Sequence, residues 1–207
     1  MAETWRATEK AQRRERYLEA AAALFADRGF HAVSIEELGA AVGVSGPALY
    51  RHFASKDAML SELLLSASER LLAGFEATVA EGLSDSATIY NLVAFHVDFA
   101  LAERDVIRIQ DRELANLPAE SNHRVRQLQR QYVAGWVAIA ARLRPGCSLP
   151  ELTVKMHALF GVLNSTPYNA DLESVADVRA ILVESALVSM FGTADLAVIP
   201  ASSGGAA

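Results

Sequence analysis

The chain holds 207 residues with a formal net charge of −6, 52% hydrophobic residues and one cysteine. That length suffices for one or two domains with a buried core. The lone Cys147 excludes an internal disulfide framework and favours a reducing compartment. The charged stretch 1–16 does not read as a secretory leader, and no run of about 18 uncharged apolar residues is present to span a bilayer, so a cytoplasmic protein with no membrane partner is expected.

Abundant alanine with sparse glycine and proline points to an all-α chain. Its charge is unevenly placed. Residues 1–60 hold eight Lys/Arg and eight Asp/Glu, whereas residues 61–207 hold eleven and seventeen. The whole acidic excess lies in the second part, which implies two functional regions. The N-terminal arm sets Arg6, Lys10, Arg13, Arg14 and Arg16 against Glu3, Glu9 and Glu15, a modest basic excess suited to a phosphate contact.

In chain order, Tyr17, Ala20, Ala21, Leu24 and Phe25 recur at helical spacing within a first helix over 10–28, with Gly29 as its stop. Ser34 and Glu37 form a capping box for a second helix whose apolar stripe is Ile35, Leu38 and Val42 and which Gly43 ends. After Val44, Ser45 caps a third short helix with Pro47 in its first turn, closing near Phe53. Ser55 caps a long fourth helix that runs to about Glu81. Five more helices are expected at 86–103, 104–115, 119–143, 150–166 and 173–191, separated by Pro118, Pro145-Gly146 and Pro167. The tail 193–207 lacks the apolar side chains that offset ordering entropy, so it is expected to be disordered.

The stretch from Leu38 to Phe53 has the spacing of a helix-turn-helix. Ala41, Val42 and Val44 join the two helices, Gly43 takes the turn, and Leu49 and Phe53 anchor the second helix at i and i+4. The other face of that helix is then free for a major groove. On that face, Arg51 is the residue able to read guanine bidentately, and Ala48 and Pro47 suit a thymine methyl. Tyr50, His52, Lys56, Ser34 and Ser45 suit backbone phosphates, and Gly46 lies on the same face.

Residues 18–60, LEAAAALFADRGFHAVSIEELGAAVGVSGPALYRHFASKDAML, resemble the DNA-binding domain of the TetR/AcrR family of bacterial regulators. The resemblance rests on the G-F turn, the V-G-V-S turn, the L-Y-x-H-F recognition helix and the S-K-D start of the fourth helix. It implies an all-α homodimer of about nine helices per chain, with a DNA-binding domain at 1–56 and a ligand-binding and dimerisation domain at 57–192. The implied activity is repression relieved by a small molecule. The family's usual DNA contacts fall on Ser34, Gly46, Pro47, Ala48, Tyr50, Arg51, His52 and Lys56. Two positions depart from the family pattern. Glu36 stands where relatives often carry a polar or basic residue, and Gly39 replaces the more usual alanine, at about 1 kcal/mol of helix propensity unless close packing requires glycine.

In the second part, residues 152–163 and 175–191 are apolar on nearly every side. Leu152, Met156, Leu159, Leu163, Val178, Ile181, Leu182 and Val188 are therefore candidates for a twofold four-helix interface. Phe95, His96, Phe99, Gln110, Tyr132, Trp136, Phe160 and Asn164 are candidates to line an apolar effector cavity. Arg104, Arg108 and Arg112 form a row that suits an anionic or acyl-type ligand, or else a solvated face paired with nearby acids. No cofactor or metal is expected. The five histidines are dispersed, with no H-E-x-x-H, paired cysteines or phosphate-cradling glycine loop, which disfavours an enzyme. The expected partners are near-palindromic double-stranded operator DNA, a second copy of the chain, and an apolar or acyl-type effector. The alternative is a helical carrier protein that binds small molecules but not DNA.

Overall fold

The computed structural model describes residues 2–168 and 176–192, and the tail expectation for 193–207 lies outside the described residues. Among those residues the chain is helical: α1 (Ala2–Arg28), α2 (Ile35–Ala41), α3 (Gly46–Leu49), α4 (Lys56–Ala80), α5 (Asp85–Ala102), α6 (Arg104–Glu113), α7 (Ala119–Leu143), α8 (Leu149–Leu163) and α9 (Val178–Phe191), with single 3-10 turns at Leu114–Asn116 and Thr166–Tyr168. Ends marked by local chemistry fall near their expected places. Ser34 and Glu37 close a capping box on α2, the Ala58 amide donates to Ser55 Oγ at 3.0 Å ahead of α4, and Gly43 adopts φ +72° in the turn. The third helix is shorter than expected. It ends at Leu49, and a turn carries the chain to Phe53 through bonds from the His52 and Phe53 amides to the Leu49 carbonyl. The last helix starts at Val178 rather than 173, and residues 173–175 of that expected span are outside the described residues.

The chain forms two compact units. Among the described residues, the first comprises 2–67 and 105–125, the second 68–104, 126–168 and 176–192. The expected division at residue 56 thus misses that α4 contributes its first half to the first unit, and that α6 begins in one unit and ends in the other. Long helices can serve two cores because each buries a different stretch.

In the first unit Tyr17, Phe25, Phe30, Leu38, Leu49, Phe53, Met59 and Leu60 are buried. The contact that sets α2 against α3 is made at Gly39. A Cβ built there would lie 2.7 Å from the Val44 carbonyl oxygen and 2.9 Å from the Gly46 amide, so only glycine allows this approach. Gly39 makes the joint that the sequence assigned to Ala41, which is exposed. The end of α6 is fastened into the same unit. The Phe30 amide donates to the buried Glu113 carboxylate at 3.1 Å, Asn116 donates to its other oxygen at 2.6 Å, and Arg112 donates to the Ala26 carbonyl at 3.2 Å.

The second unit has a core of Ile89, Leu92, Val93, Val97, Tyr132, Trp136, Ile139, Leu152, Met156, Leu159, Leu163, Leu182, Leu187 and Met190. Among the described residues no helix is long and apolar enough to cross a membrane.

Two measurements check this packing. Gly39→Ala gains about 1 kcal/mol of helix propensity but meets backbone atoms, and overpacking costs about 1–3 kcal/mol, so its melting temperature falls below wild type. His96 is fully buried, and burial lowers its pKa from 6.5 to about 4. The native state therefore binds fewer protons than the unfolded chain below pH 6.5. The His96 contribution is complete above that pH and is lost as pH falls toward 4, on the order of 3 kcal/mol at the acid end. Denaturant titrations across this range show the loss in wild type and a shallower slope in His96→Gln.

Candidate functional site

The helix-turn-helix leaves one face of its second helix open. Leu49 and Phe53 point into the core, while Pro47, Tyr50 and Arg51 are exposed, with Tyr50 at 55%. Ser45 is exposed and makes no capping hydrogen bond, and Ala48 is half-buried between the two faces.

The remaining candidates in this unit have structural work. Gly46 is buried against the start of α2, where its Cβ would meet the Ile35 side chain at 3.4 Å and the Glu36 backbone at 3.5 Å. Its expected place on the exposed face is therefore corrected. The Ser34 hydroxyl accepts from the Glu37 amide at 3.2 Å and donates to the Glu37 carboxylate at 2.7 Å. Bonds from the Ser34 backbone and hydroxyl, with Arg28 alongside, hold the Glu37 carboxyl at about 2. Lys56 donates to the carbonyls of Phe30 at 2.8 Å and Val33 at 2.7 Å while lying 4.4 Å over the Phe30 ring. It ties α4 to the α1–α2 turn, which leaves one of its three donors.

His52 sits edge-on to Tyr17 with ring centroids 5.1 Å apart, half-buried, and its Nδ1 has no hydrogen-bond partner. Its pKa is lowered first by burial and then by Arg13, Lys10, Arg14 and Arg51. Those four cations gather at the end of α3, and Lys10, Arg13 and Arg51 are exposed. This is a positive patch around α3 in a chain that is acidic as a whole.

Arg14, read from the sequence as part of a phosphate-binding arm, has a different role. It bonds both Glu62 carboxylate oxygens and the His52 carbonyl, and its guanidinium lies 4.1 Å over the Phe53 ring. One side chain thus locks α1, the end of the recognition segment and α4 together. A partner 48 residues away leaves no local signal in the sequence.

In the second unit the structure gathers most of the effector candidates. His96 Nδ1 is 3.0 Å from the Tyr132 hydroxyl, and its Nε2 is 3.0 Å from Asn164 Oδ1. A neutral imidazole fits this chain of bonds if Tyr132 O–H donates to Nδ1 and Nε2–H donates to Asn164. Around it lie Phe160, Trp136 and Phe99, with ring centroids 5.3, 6.4 and 6.2 Å from His96. Phe75 on α4, absent from the sequence candidates, stands edge-on to Tyr132 at 6.0 Å and covers Gly135. Phe95 lies over Gly74 on α4.

Gln110 and Arg108 belong to the other unit and are not part of this cluster. The flanking arginines bind backbone, Arg104 to the Thr166 carbonyl at 3.2 Å and Arg112 to that of Ala26. Arg104 and Arg112 are therefore engaged by their own chain.

The interface candidates need correction. Leu152, Met156, Leu159, Leu163 and Leu182 are buried inside the subunit's own core, while Ile181 is 49% exposed and Val178 and Val188 are half-buried. The open apolar face of α8 and α9 is instead carried by Leu149, Val154 and Ile181, with small residues Ala158, Gly161 and Ser185 exposed between them.

Comparison with known proteins agrees with this geometry. Residues 18–63 match the model of bacterial regulatory proteins of the tetR family, and residues 82–168 match a tetracyclin repressor-like C-terminal domain. The HTH-type transcriptional repressor KstR2 of Mycobacterium tuberculosis is 31% identical over 150 residues, 70% of this chain and 73% of that protein. In structure, a TetR-family regulator from Bordetella parapertussis superposes with TM-score 0.80 at 22% identity, covering 88% of this chain and 96% of that one. AibR, solved with isovaleryl coenzyme A and operator DNA, gives TM-score 0.73 at 17% identity over 87% and 98%. These matches bear on both parts of the chain, and the protein belongs to the TetR family of bacterial regulatory proteins: it is a DNA-binding transcriptional regulator, not an enzyme.

Proposed function

We propose that this regulator is a cytoplasmic repressor that grips a near-palindromic operator as a homodimer and releases it when a small molecule enters the second unit. The observation that carries the reading is the exposed face of Pro47, Tyr50 and Arg51, set beside Lys10 and Arg13 by side chains already engaged inside the domain. A recognition segment held this firmly meets DNA with little further ordering entropy. Arg51 reads a base edge, Tyr50 and Ser45 contact phosphates, and Pro47 and Ala48 meet a thymine methyl.

Two copies are needed because one short helix reads too few base pairs, and a twofold dimer places the second copy about one helical turn away. Val154 and Ile181, 69% and 49% exposed on α8 and α9, offer an apolar face for that pairing. The AibR complex supports an effector-responsive reading, since one protein of this fold has been solved with an acyl thioester and operator DNA together. Release follows if the effector binds the DNA-free form better, and a coupling of about 1–3 kcal/mol is typical.

Gel shifts on the promoter duplex upstream of the protein's own gene test the assignment. Arg51→Ala weakens binding by about tenfold or more with an unchanged melting temperature, and Tyr50→Phe weakens it by a few-fold. Lys56→Ala lowers the melting temperature, because the Phe30 and Val33 carbonyls lose their donor. Full affinity in Arg51→Ala contradicts the reading.

A further inference from the structure

The helix α3 spans only four residues, Gly46–Leu49, and the chain reaches Phe53 through a turn closed by the His52 and Phe53 amides on the Leu49 carbonyl. An isolated helix of this length is not stable in water, and the carbonyls at its end have no partner within it. One of them, the His52 carbonyl, accepts from Arg14 Nη1.

The direction of Arg14 is set by an acid on α4. Its Nε donates to Glu62 Oε1 at 2.7 Å and its Nη2 to Glu62 Oε2, so guanidinium and carboxylate meet as a fork. The Phe53 ring lies against the same guanidinium, 4.1 Å from its central carbon. The side chains of the pair are 37% and 32% exposed, and an ion pair so open to water adds little to global stability. What the pair does supply is orientation.

Glu62 therefore acts on DNA binding in two opposite ways. As a negative charge beside a patch of cations it repels phosphate, and by charge alone its removal tightens binding. As the anchor of Arg14 it keeps a donor on the His52 carbonyl and so holds the segment that carries Tyr50 and Arg51. The bidentate partner already neutralises the carboxylate, and water and salt screen what remains. Orientation is not screened, since a segment free to move must be ordered again on binding.

We infer that Glu62 is a positioning residue for operator binding: by orienting Arg14 it fixes the end of the recognition segment, so that an acidic side chain raises the affinity for a polyanion. The inference rests on the reading of Pro47 to Phe53 as the DNA-facing segment. Lysine does not replace Arg14 in this role, because one ammonium lacks the planar fork that meets both Glu62 oxygens and the His52 carbonyl while stacking on Phe53.

Gel shifts across a salt series, with full-length variants on the promoter duplex upstream of the protein's own gene, test this. Glu62→Gln binds about tenfold more weakly than wild type although it removes a negative charge, and its melting temperature stays within about 4 °C of wild type. Arg14→Gln is weakened at least as much, with the wild-type slope of log affinity against log salt, because no phosphate contact is lost. Arg14→Lys does not restore the affinity, and Arg14→Gln combined with Glu62→Gln binds like Arg14→Gln alone. Glu62→Gln binding as tightly as wild type, or more tightly, overturns the inference. So does a slope shallower by about 0.9 in Arg14→Gln, which makes Arg14 a phosphate contact. Arg51→Ala in the same series separates the two readings: weakened Arg51→Ala beside unweakened Glu62→Gln rejects the role of Glu62 alone, and full affinity in Arg51→Ala rejects the DNA-facing segment and this inference with it.

Discussion

The DNA-binding unit depends on one backbone approach, that of α2 to the turn before α3 at Gly39. With no Cβ in the way, the Val44 carbonyl and Gly46 amide come close enough to bury Gly46 against Ile35. That approach fixes the angle at which the recognition segment leaves the core. Everything exposed beyond it inherits its direction from this contact: Pro47, Tyr50 and Arg51 stand outward because Leu49 and Phe53 are held inward. Arg14 and Lys56 then brace the arrangement from two sides, the first through Glu62, His52 and Phe53, the second through the carbonyls of Phe30 and Val33. Such charge-assisted bonds stabilise best when the groups are partly shielded from water.

The second unit solves a different problem. Its core is lined with aliphatic side chains, yet at its centre sits a chain of polar bonds from Tyr132 through His96 to Asn164, wrapped in aromatic rings. A domain meant only to pack would do as well with apolar residues there, because buried polar networks add stability only when fully satisfied. Asn164 also caps α8, and Thr166 just beyond it bonds the Ala100 carbonyl at 2.8 Å. His96, through Asn164, is therefore tied to a helix end and to the segment to which Arg104 is bonded.

Features governed by neighbours in sequence could be read without coordinates. The Ser34–Glu37 capping box, the Gly43 turn, the Leu49 and Phe53 anchors and most helix spans depend on residues within four positions of each other. Most of the aromatic cluster was also legible, because large rings on apolar helices have few places to go. What the sequence concealed depends on distant partners. Arg14 looked like a free cation because Glu62 is far along the chain, and Lys56 because its acceptors are backbone carbonyls. Glu113 gave no sign that it would receive the Phe30 amide. The helices α8 and α9 are apolar on most sides, so periodicity could not say which side faces the subunit's own core. Leu152 and Leu182 turn inward, and Val154 and Ile181 face outward.

On the proposed reading, an acidic chain holds duplex DNA through a small positive patch around α3. Binding of the protein to its promoter duplex, measured across a salt series, checks this. Several phosphate contacts per subunit predict a linear fall of log affinity with log salt, with a slope of about −0.9 for each contact. An affinity indifferent to salt, or no association with the duplex even in dilute buffer, contradicts the account.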